Sequence, residues 1–298
     1  MKEEELENYK KSGKLAADAR DSAVEMAEPG EKLLEIAEKV ENFIYEGGGE
    51  PAFPCNLSVD EKAAHYSPPA DDETVLEEGD LLKIDVGAHI DGYIADTATT
   101  VCVGRQSNDM IQAVNEVLET AIDFLEPGVN VGDIGGVIEE AAEERGYRPI
   151  NNLTGHTMER WSLHGGVSIP NVEKDIEKDL EVGDVIALEP FLTDGKGEVK
   201  NSPEVYIFGY QGNKGVSGRM ARQTLRKISN EYGRFPFAER WLTRDLSRIR
   251  LQVTLRELIN TKSLRPYYVL TEVEEGIVTQ AEDTMVVTEE GVEITTKK

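Results

Sequence analysis

Leu76-Glu-Glu-Gly-Asp-Leu-Leu-Lys-Ile-Asp85 and Leu180-Glu-Val-Gly-Asp-Val-Ile-Ala-Leu-Glu189 align without a gap at an offset of 104 residues. Each is a Gly-Asp turn followed by a short apolar run that ends in a carboxylate, the pattern of a buried strand. Upstream, Glu28-Pro29-Gly30 and Glu126-Pro127-Gly128 stand 98 residues apart, and an amphipathic stretch follows each. Ile36, Val40 and Phe43 recur at helical spacing in the first copy, and Ile134, Ile138 and Ala141 in the second. His65 and His164, 99 apart, lie between these landmarks. Three matches in one order predict an α/β (α+β) fold built from two copies of one unit. A pseudo-twofold axis would then bring Asp85 and Glu189 to face each other across a central sheet.

Asp91-Gly92 is a hairpin signal, and folding the chain there sets Asp85 and Asp96 on neighbouring strands. Glu189 closes the run Val185-Ile-Ala-Leu188, and Glu282 sits in a strand pattern, Gly276-Ile-Val-Thr-Gln-Ala-Glu282-Asp-Thr-Met-Val-Val. Singly, each acid reads as a cap or a surface residue. Together, four buried carboxylates without Lys or Arg beside them must be protonated or neutralised by cations. Two divalent ions balance four carboxylates. An oxygen-rich set with His156, in Leu153-Thr-Gly-His156-Thr, suits Mn, Fe, Co or Zn. His89, in the hairpin, is expected to face solvent and is given no role.

The 298 residues carry 32 Lys+Arg against 58 Asp+Glu, a net charge of −26, with 39% hydrophobic residues. That apolar content is enough for a sizeable core, and the charge disfavours DNA and anionic membranes as partners. Two cysteines, Cys55 and Cys102, exclude a disulfide scaffold, and the N-terminus lacks a signal-peptide pattern, so a cytoplasmic location is expected. The charge is uneven. Residues 205–265 hold 13 Lys/Arg and four acids, a local excess of nine. Helical periodicity over Met220–Leu225, Trp241–Ile249 and Leu251–Ile259 predicts a small, mostly helical insert in a larger body made of segments 1–204 and 266–298. Its cations are expected to pair with the acidic body; docking on RNA or a ribosome is the sharper alternative. The remaining surface is acidic enough to resemble proteins of salt-loving archaea, and such a chain should lose its circular-dichroism signal at low KCl and regain it at molar KCl.

The ordered set Asp85, Asp96, Gly155-His156, Glu189-Pro190 and Gln280-Ala-Glu282 resembles the metal signature of the methionine aminopeptidases. More broadly it is similar to the creatinase/prolidase-like "pita-bread" metallohydrolases. Ala63-Ala-His65-Tyr-Ser-Pro68 and His156-Thr-Met-Glu-Arg-Trp-Ser-Leu-His164-Gly-Gly add to the likeness. The insert of about 60 residues between Glu189 and Glu282 resembles the type 2 enzymes, and the short N-terminal lead resembles their archaeal form. Asp283 and Ala281 depart from the residues common beside the last ligand, His and Phe.

The resemblance implies a metallo-exopeptidase that removes the N-terminal methionine from peptides and nascent proteins with a small second residue. Hydroxide held by two divalent ions (Co, Mn, Fe, Zn or Ni) would attack the first peptide bond. It implies Asp85, Asp96, His156, Glu189 and Glu282 as ligands, with Glu189 also relaying a proton. His65 and His164 would steady the substrate carbonyl, the tetrahedral intermediate or the leaving nitrogen. Phe53, Leu163 and Tyr267 would line the methionine slot. A monomer is expected. The alternatives are a prolidase-type dipeptidase and a non-catalytic homologue of the same fold.

Overall fold

A computed structural model describes residues 1–105, 108–243 and 246–297. The first copy runs α1 (Glu3–Met26), α2 (Leu33–Glu46), β1 (Glu50–Pro51), β2 (Asn56–Val59), β3 (Lys62–Ala64), β4 (Leu81–Ile90) and β5 (Tyr93–Cys102). The second opens with α3 (Asp109–Phe124) and α4 (Val131–Glu144). Five strands follow: β6 (Arg148–Pro149), β7 (Thr154–Met158), β8 (Ser168–Pro170), β9 (Val185–Leu188) and β10 (Phe191–Thr193). Then come β11 (Val199–Tyr210), α5 (Arg219–Glu231), β12 (Phe237–Ala238), a 3-10 turn at Glu239–Leu242, α6 (Arg248–Asn260) and β13 (Leu264–Glu272). The chain closes with β14 (Val278–Gln280), β15 (Asp283–Thr288) and β16 (Gly291–Ile294).

Each copy lays a helix pair on its strands. Ala16, Ala19 and Ala23 form the buried stripe of α1, and their small side chains let it sit close against β4 and β5. Leu33, Ile36, Val40 and Ile44 turn α2 into the same core. Phe43, expected inside, is 37% exposed, because Ile44 completes the i, i+4 stripe that begins at Ile36 and Val40. In α4 the expected Ile134, Ile138 and Ala141 are all buried.

The duplication is written in the backbone hydrogen bonds. Gly30 donates to the Leu76 carbonyl, and Gly128 to the Leu180 carbonyl, both at 2.8 Å. Leu76 in turn donates to Glu31, and Leu180 to Val129, both at 2.9 Å. Gly79 donates to Val103 at 2.9 Å, and Gly183 to Val287 at 2.8 Å. The last pair shows what the second copy did with its partner strand. In the first copy β5 follows β4 through Asp91 and Gly92, both at positive φ, as a two-residue type I′ turn requires. In the second copy the partner of β9 is β15, which the chain reaches only after β10–β14. Val103 and Val287 stand 184 residues apart, and the same offset relates Ala98 to Glu282. Those two residues bridge each other: Ala98 donates to the Glu282 carbonyl at 3.2 Å, and Glu282 to the Ala98 carbonyl at 2.9 Å. Two counterparts bonded to each other mark the pseudo-twofold axis.

β11 and β13 form a long antiparallel pair, and β13 also pairs with β3 of the first copy. Helices α5 and α6 cap it with a core of their own, including Leu225, Ile228, Phe237, Leu251, Leu255 and Leu258. The strands begin at Val199 and run on to Glu272, beyond the basic stretch 205–265 that they enclose. Trp241–Ile249 is not one helix, since the 3-10 turn ends at Leu242 and α6 begins at Arg248. The turn buries Arg240 and Leu242 together, a spacing no α-helix face provides. Arg244 and Asp245 lie outside the described residues. Arg240 pairs with Glu41 of α2, and Arg248 with Asp71, so cations of the insert do meet acids of the body. His89 is a third correction. It is 3% exposed, its ring stacked on Phe235 at 4.5 Å and set edge-on to Trp161 at 5.5 Å. Phe235 arrives from the distant insert, so nothing near His89 in sequence announces its cover.

Candidate active site

All ten residues singled out in the sequence line one cavity of about 310 Å³. Asp85 lies mid-strand in β4, and Asp96 stands in β5 opposite Gly87, one pleat further along. Gly87 is required there: a Cβ would fall 2.2 Å from the Phe53 ring. His156 comes from β7, where it pairs with Ala187 of β9, and Glu189 follows the end of that strand. Glu282 sits at the break between β14 and β15, held at the axis by Ala98. The two strand pairs thus deliver two carboxylates from each side of the seam.

The geometry calls for positive charge. Asp96, His156 and Glu282 offer ligand atoms that all lie within 4.8 Å of one another. Asp85 Oδ1, Asp96 Oδ1 and Glu282 Oε1 are buried without a hydrogen-bond partner among the described residues. Burial pushes the Asp96 carboxyl up to about 8. Burial first, and the Asp96 charge second, hold Asp85, Glu189 and Glu282 well above the usual carboxylate range. His156 donates through Nδ1 to the Thr157 carbonyl, so its lone pair is on Nε2. That lone pair faces Asp96 Oδ2 at 3.6 Å and Glu189 Oε1 at 3.8 Å. A lone pair among carboxylate oxygens is repulsive unless a proton or a cation lies between them. Burial holds His156 down at about 4, leaving it neutral and ready to ligate. The donor set fits divalent metal.

One expectation needs revision: a lysine does lie in these strands. Lys83, two residues before Asp85, is fully buried, and burial lowers its ammonium to about 7. It does not neutralise the cluster, because Nζ donates to the carbonyls of Asp60 at 2.8 Å and Val278 at 2.7 Å. It ties β4 to β14 instead.

Around the carboxylates stand the other expected residues. His65, at φ 65°, donates through Nδ1 to the Tyr268 carbonyl at 3.1 Å, and its ring meets Tyr267 edge-on at 5.7 Å. Burial lowers it to about 4. His164 is exposed at the cavity, its ring 4.6 Å from that of His156. Phe53 and Leu163 share a core cluster with Phe235. Sequence reasoning missed Asn56, whose Nδ2 donates to Asp85 Oδ2 at 3.2 Å, as well as Ile207 and Pro236, which line the cavity from the insert side. The signal for Asn56 was the polar pair Asn56 and Ser58 inside an otherwise apolar strand. Asp283 does not join the cavity. It accepts from Thr296 at 2.7 Å and lies 3.8 Å from Arg20, on the outer side of the sheet from Glu282.

A paired-strand body with a duplicated core and a carboxylate–imidazole cluster at its seam is the architecture of a metallohydrolase. The chain belongs to metallopeptidase family M24, whose profile matches residues 7–289. Methionine aminopeptidase of Methanocaldococcus jannaschii is 46% identical over 98% of this chain and 100% of its own length. The Pyrococcus horikoshii methionine aminopeptidase is 48% identical over 96% and 97%. Among solved structures, a thermophilic Arx1 superposes with a TM-score of 0.86 at 20% identity, covering 99% of this chain and 91% of that one. Methionine aminopeptidase from Thermotoga maritima does so with a TM-score of 0.74 at 24% identity, covering 100% and 98%. The fold is the pita-bread fold.

Proposed function

We propose that this chain removes the N-terminal methionine from peptides and nascent proteins with a small second residue, in the cytoplasm, using two divalent cations. The observation that carries the reading is the ring of unpartnered carboxylate oxygens closed by His156 Nε2 inside the cavity that Phe53, Leu163 and Tyr267 also line. Full-length identity to methionine aminopeptidases supports the substrate class. Asp85, Asp96 and Glu282 would hold one cation, and Asp96, His156, Glu189 and Glu282 the other. This oxygen-rich set accepts Co, Mn, Fe, Zn or Ni. When bound, the cations supply Lewis acidity and a hydroxide nucleophile at neutral pH.

The protein groups do the rest. Glu189 takes the proton of the attacking water and delivers it to the leaving amine. His65 is committed through Nδ1–H to the Tyr268 carbonyl, so its neutral ring presents Nε2 as an acceptor. An acceptor suits the N–H of the scissile bond and not its carbonyl oxygen. The carbonyl then falls to His164, as a donor. Phe53, Leu163 and Tyr267 wall the slot for the unbranched methionine side chain.

The test is a peptide assay. Met-Ala-Ser should yield free methionine, with Ala-Pro and Met-Pro left intact; EDTA should abolish the activity and divalent metal restore it. Preference for Ala-Pro would transfer the chain to the prolidases. Undiminished turnover in a sample shown by elemental analysis to be metal-free would sink the cation-dependent chemistry.

A further inference from the structure

Arg240 is the feature that the site so far described leaves unused. It is 5% exposed, although it belongs to the basic insert and enters the body from outside. Its Nη1 donates to Ser67 Oγ at 2.6 Å and to the Pro68 carbonyl at 3.1 Å, and its Nη2 pairs with Glu41. Glu41 is shared in turn: Oε1 accepts from the Cys55 amide at 3.1 Å, and Oε2 from the Trp241 indole at 2.8 Å. Ser67 Oγ closes the loop by donating to the Cys55 carbonyl at 2.8 Å.

The positions of these partners matter. Cys55 lies two residues after Phe53, and Ser67 two residues after His65. The guanidinium and its carboxylate therefore grip both chain segments that bring a side chain to the cavity from this side. His65 has need of such a grip, since its backbone is held at a positive φ of 65°, which a side chain with a Cβ rarely adopts. A planar fork with fixed donor directions can impose that conformation; a flexible ammonium cannot. We propose that Arg240 is a positioning residue: from the insert, it fixes the segments carrying Phe53 and His65 so that the His65 ring meets the scissile bond. The insert, on this view, is part of the machinery that shapes the cavity as well as a basic surface. The inference rests on the reading that His65 acts on the substrate.

Four proteins decide it: wild type, Arg240→Lys, His65→Ala and the double variant, each assayed on Met-Ala-Ser with its metal content measured. Arg240→Lys keeps a charge beside Glu41 and loses the fork. It should lower kcat by about tenfold or more, as misplacement of a reacting group by a fraction of an ångström does, with metal content unchanged. In the His65→Ala background the same change should lower kcat by less than about twofold, because of the two side chains it positions only Phe53 remains, and a displaced Phe53 shows in KM. An equal loss in both backgrounds would make Arg240 a general support of the fold and overturn the proposal, as would no loss at all. Wild-type kcat in His65→Ala would overturn the reading of His65 and the proposal with it. Should Arg240→Lys not fold, Ser67→Ala removes only the hydroxyl between the guanidinium and Cys55. It should lower kcat by about threefold or more, again only while His65 is present.

Discussion

Glu282→Gln should release at least one cation per chain and cut methionine release by about a thousandfold or more, the scale on which a metal centre accelerates hydrolysis. The replacement keeps the shape of the side chain and removes one of four negative charges that face one another across the seam. Glu282 is 2% exposed; its Oε2 accepts from Gln280 Nε2 at 3.2 Å, and its Oε1, buried with no partner among the described residues, is left to face a positive charge. The metal-free variant should be at least as stable to heat as the metal-free parent, since a buried carboxylate without a partner is a cost. Full metal content in Glu282→Gln, measured by elemental analysis, would remove this residue from the ligand set. The same cluster fixes a pH dependence. Without cations, burial raises all four carboxyls above the usual carboxylate range, Asp96 to about 8. A cation must displace the protons they hold, so affinity should strengthen as pH rises from about 6 toward 8. Calorimetric titration with a divalent metal at pH 6.5, in buffers of different ionisation enthalpy, reads the released protons directly; identical heats in every buffer would contradict the scheme.

His65→Ala should lower kcat by about two to three orders of magnitude while metal content stays near normal, the loss expected when one hydrogen bond to the reacting group is removed. The separation of the two readouts follows from position. His65 lines the same cavity as the carboxylates, yet its Nδ1 is bonded to the Tyr268 carbonyl, and it does not belong to the cluster of Asp96, His156 and Glu282. Because its free nitrogen is an acceptor, His65→Gln, whose amide oxygen also accepts, should recover more activity than His65→Lys, which can only donate. Loss of metal along with activity would show that His65 is a ligand or a support of the cluster.

How far the sequence could be read depends on how local the information was. Asp85 and Asp96 were legible because one turn, Asp91-Gly92, sets both of their strands. Glu189 was legible because its copy, Asp85, ends the same motif. Glu282 carries a weaker local signature, a strand pattern alone: its counterpart lies 184 residues away, at an offset stretched by the excursion between β9 and β15. The misreadings have the same origin. His89 was assigned to solvent because its cover, Phe235, is supplied from 146 positions downstream. Lys83 stands in the quoted motif two residues before Asp85; what the sequence does not record is that its ammonium turns to the carbonyls of Asp60, Leu81 and Val278. Arg240 counted as one cation among 13 until its partners in α2 and in the segment after His65 came into view. Periodicity reports which face of an element is buried; it does not report what arrives from elsewhere to bury it.

The mutual bridge of Ala98 and Glu282 has a mechanical meaning. Its two hydrogen bonds join one half to the other through the backbone of Glu282 itself, so the position of that carboxylate is set by both halves at once. Sliding one half past the other would break this bridge before it could part the carboxylates on either side. Duplication gave the protein a clasp as well as a second set of carboxylates.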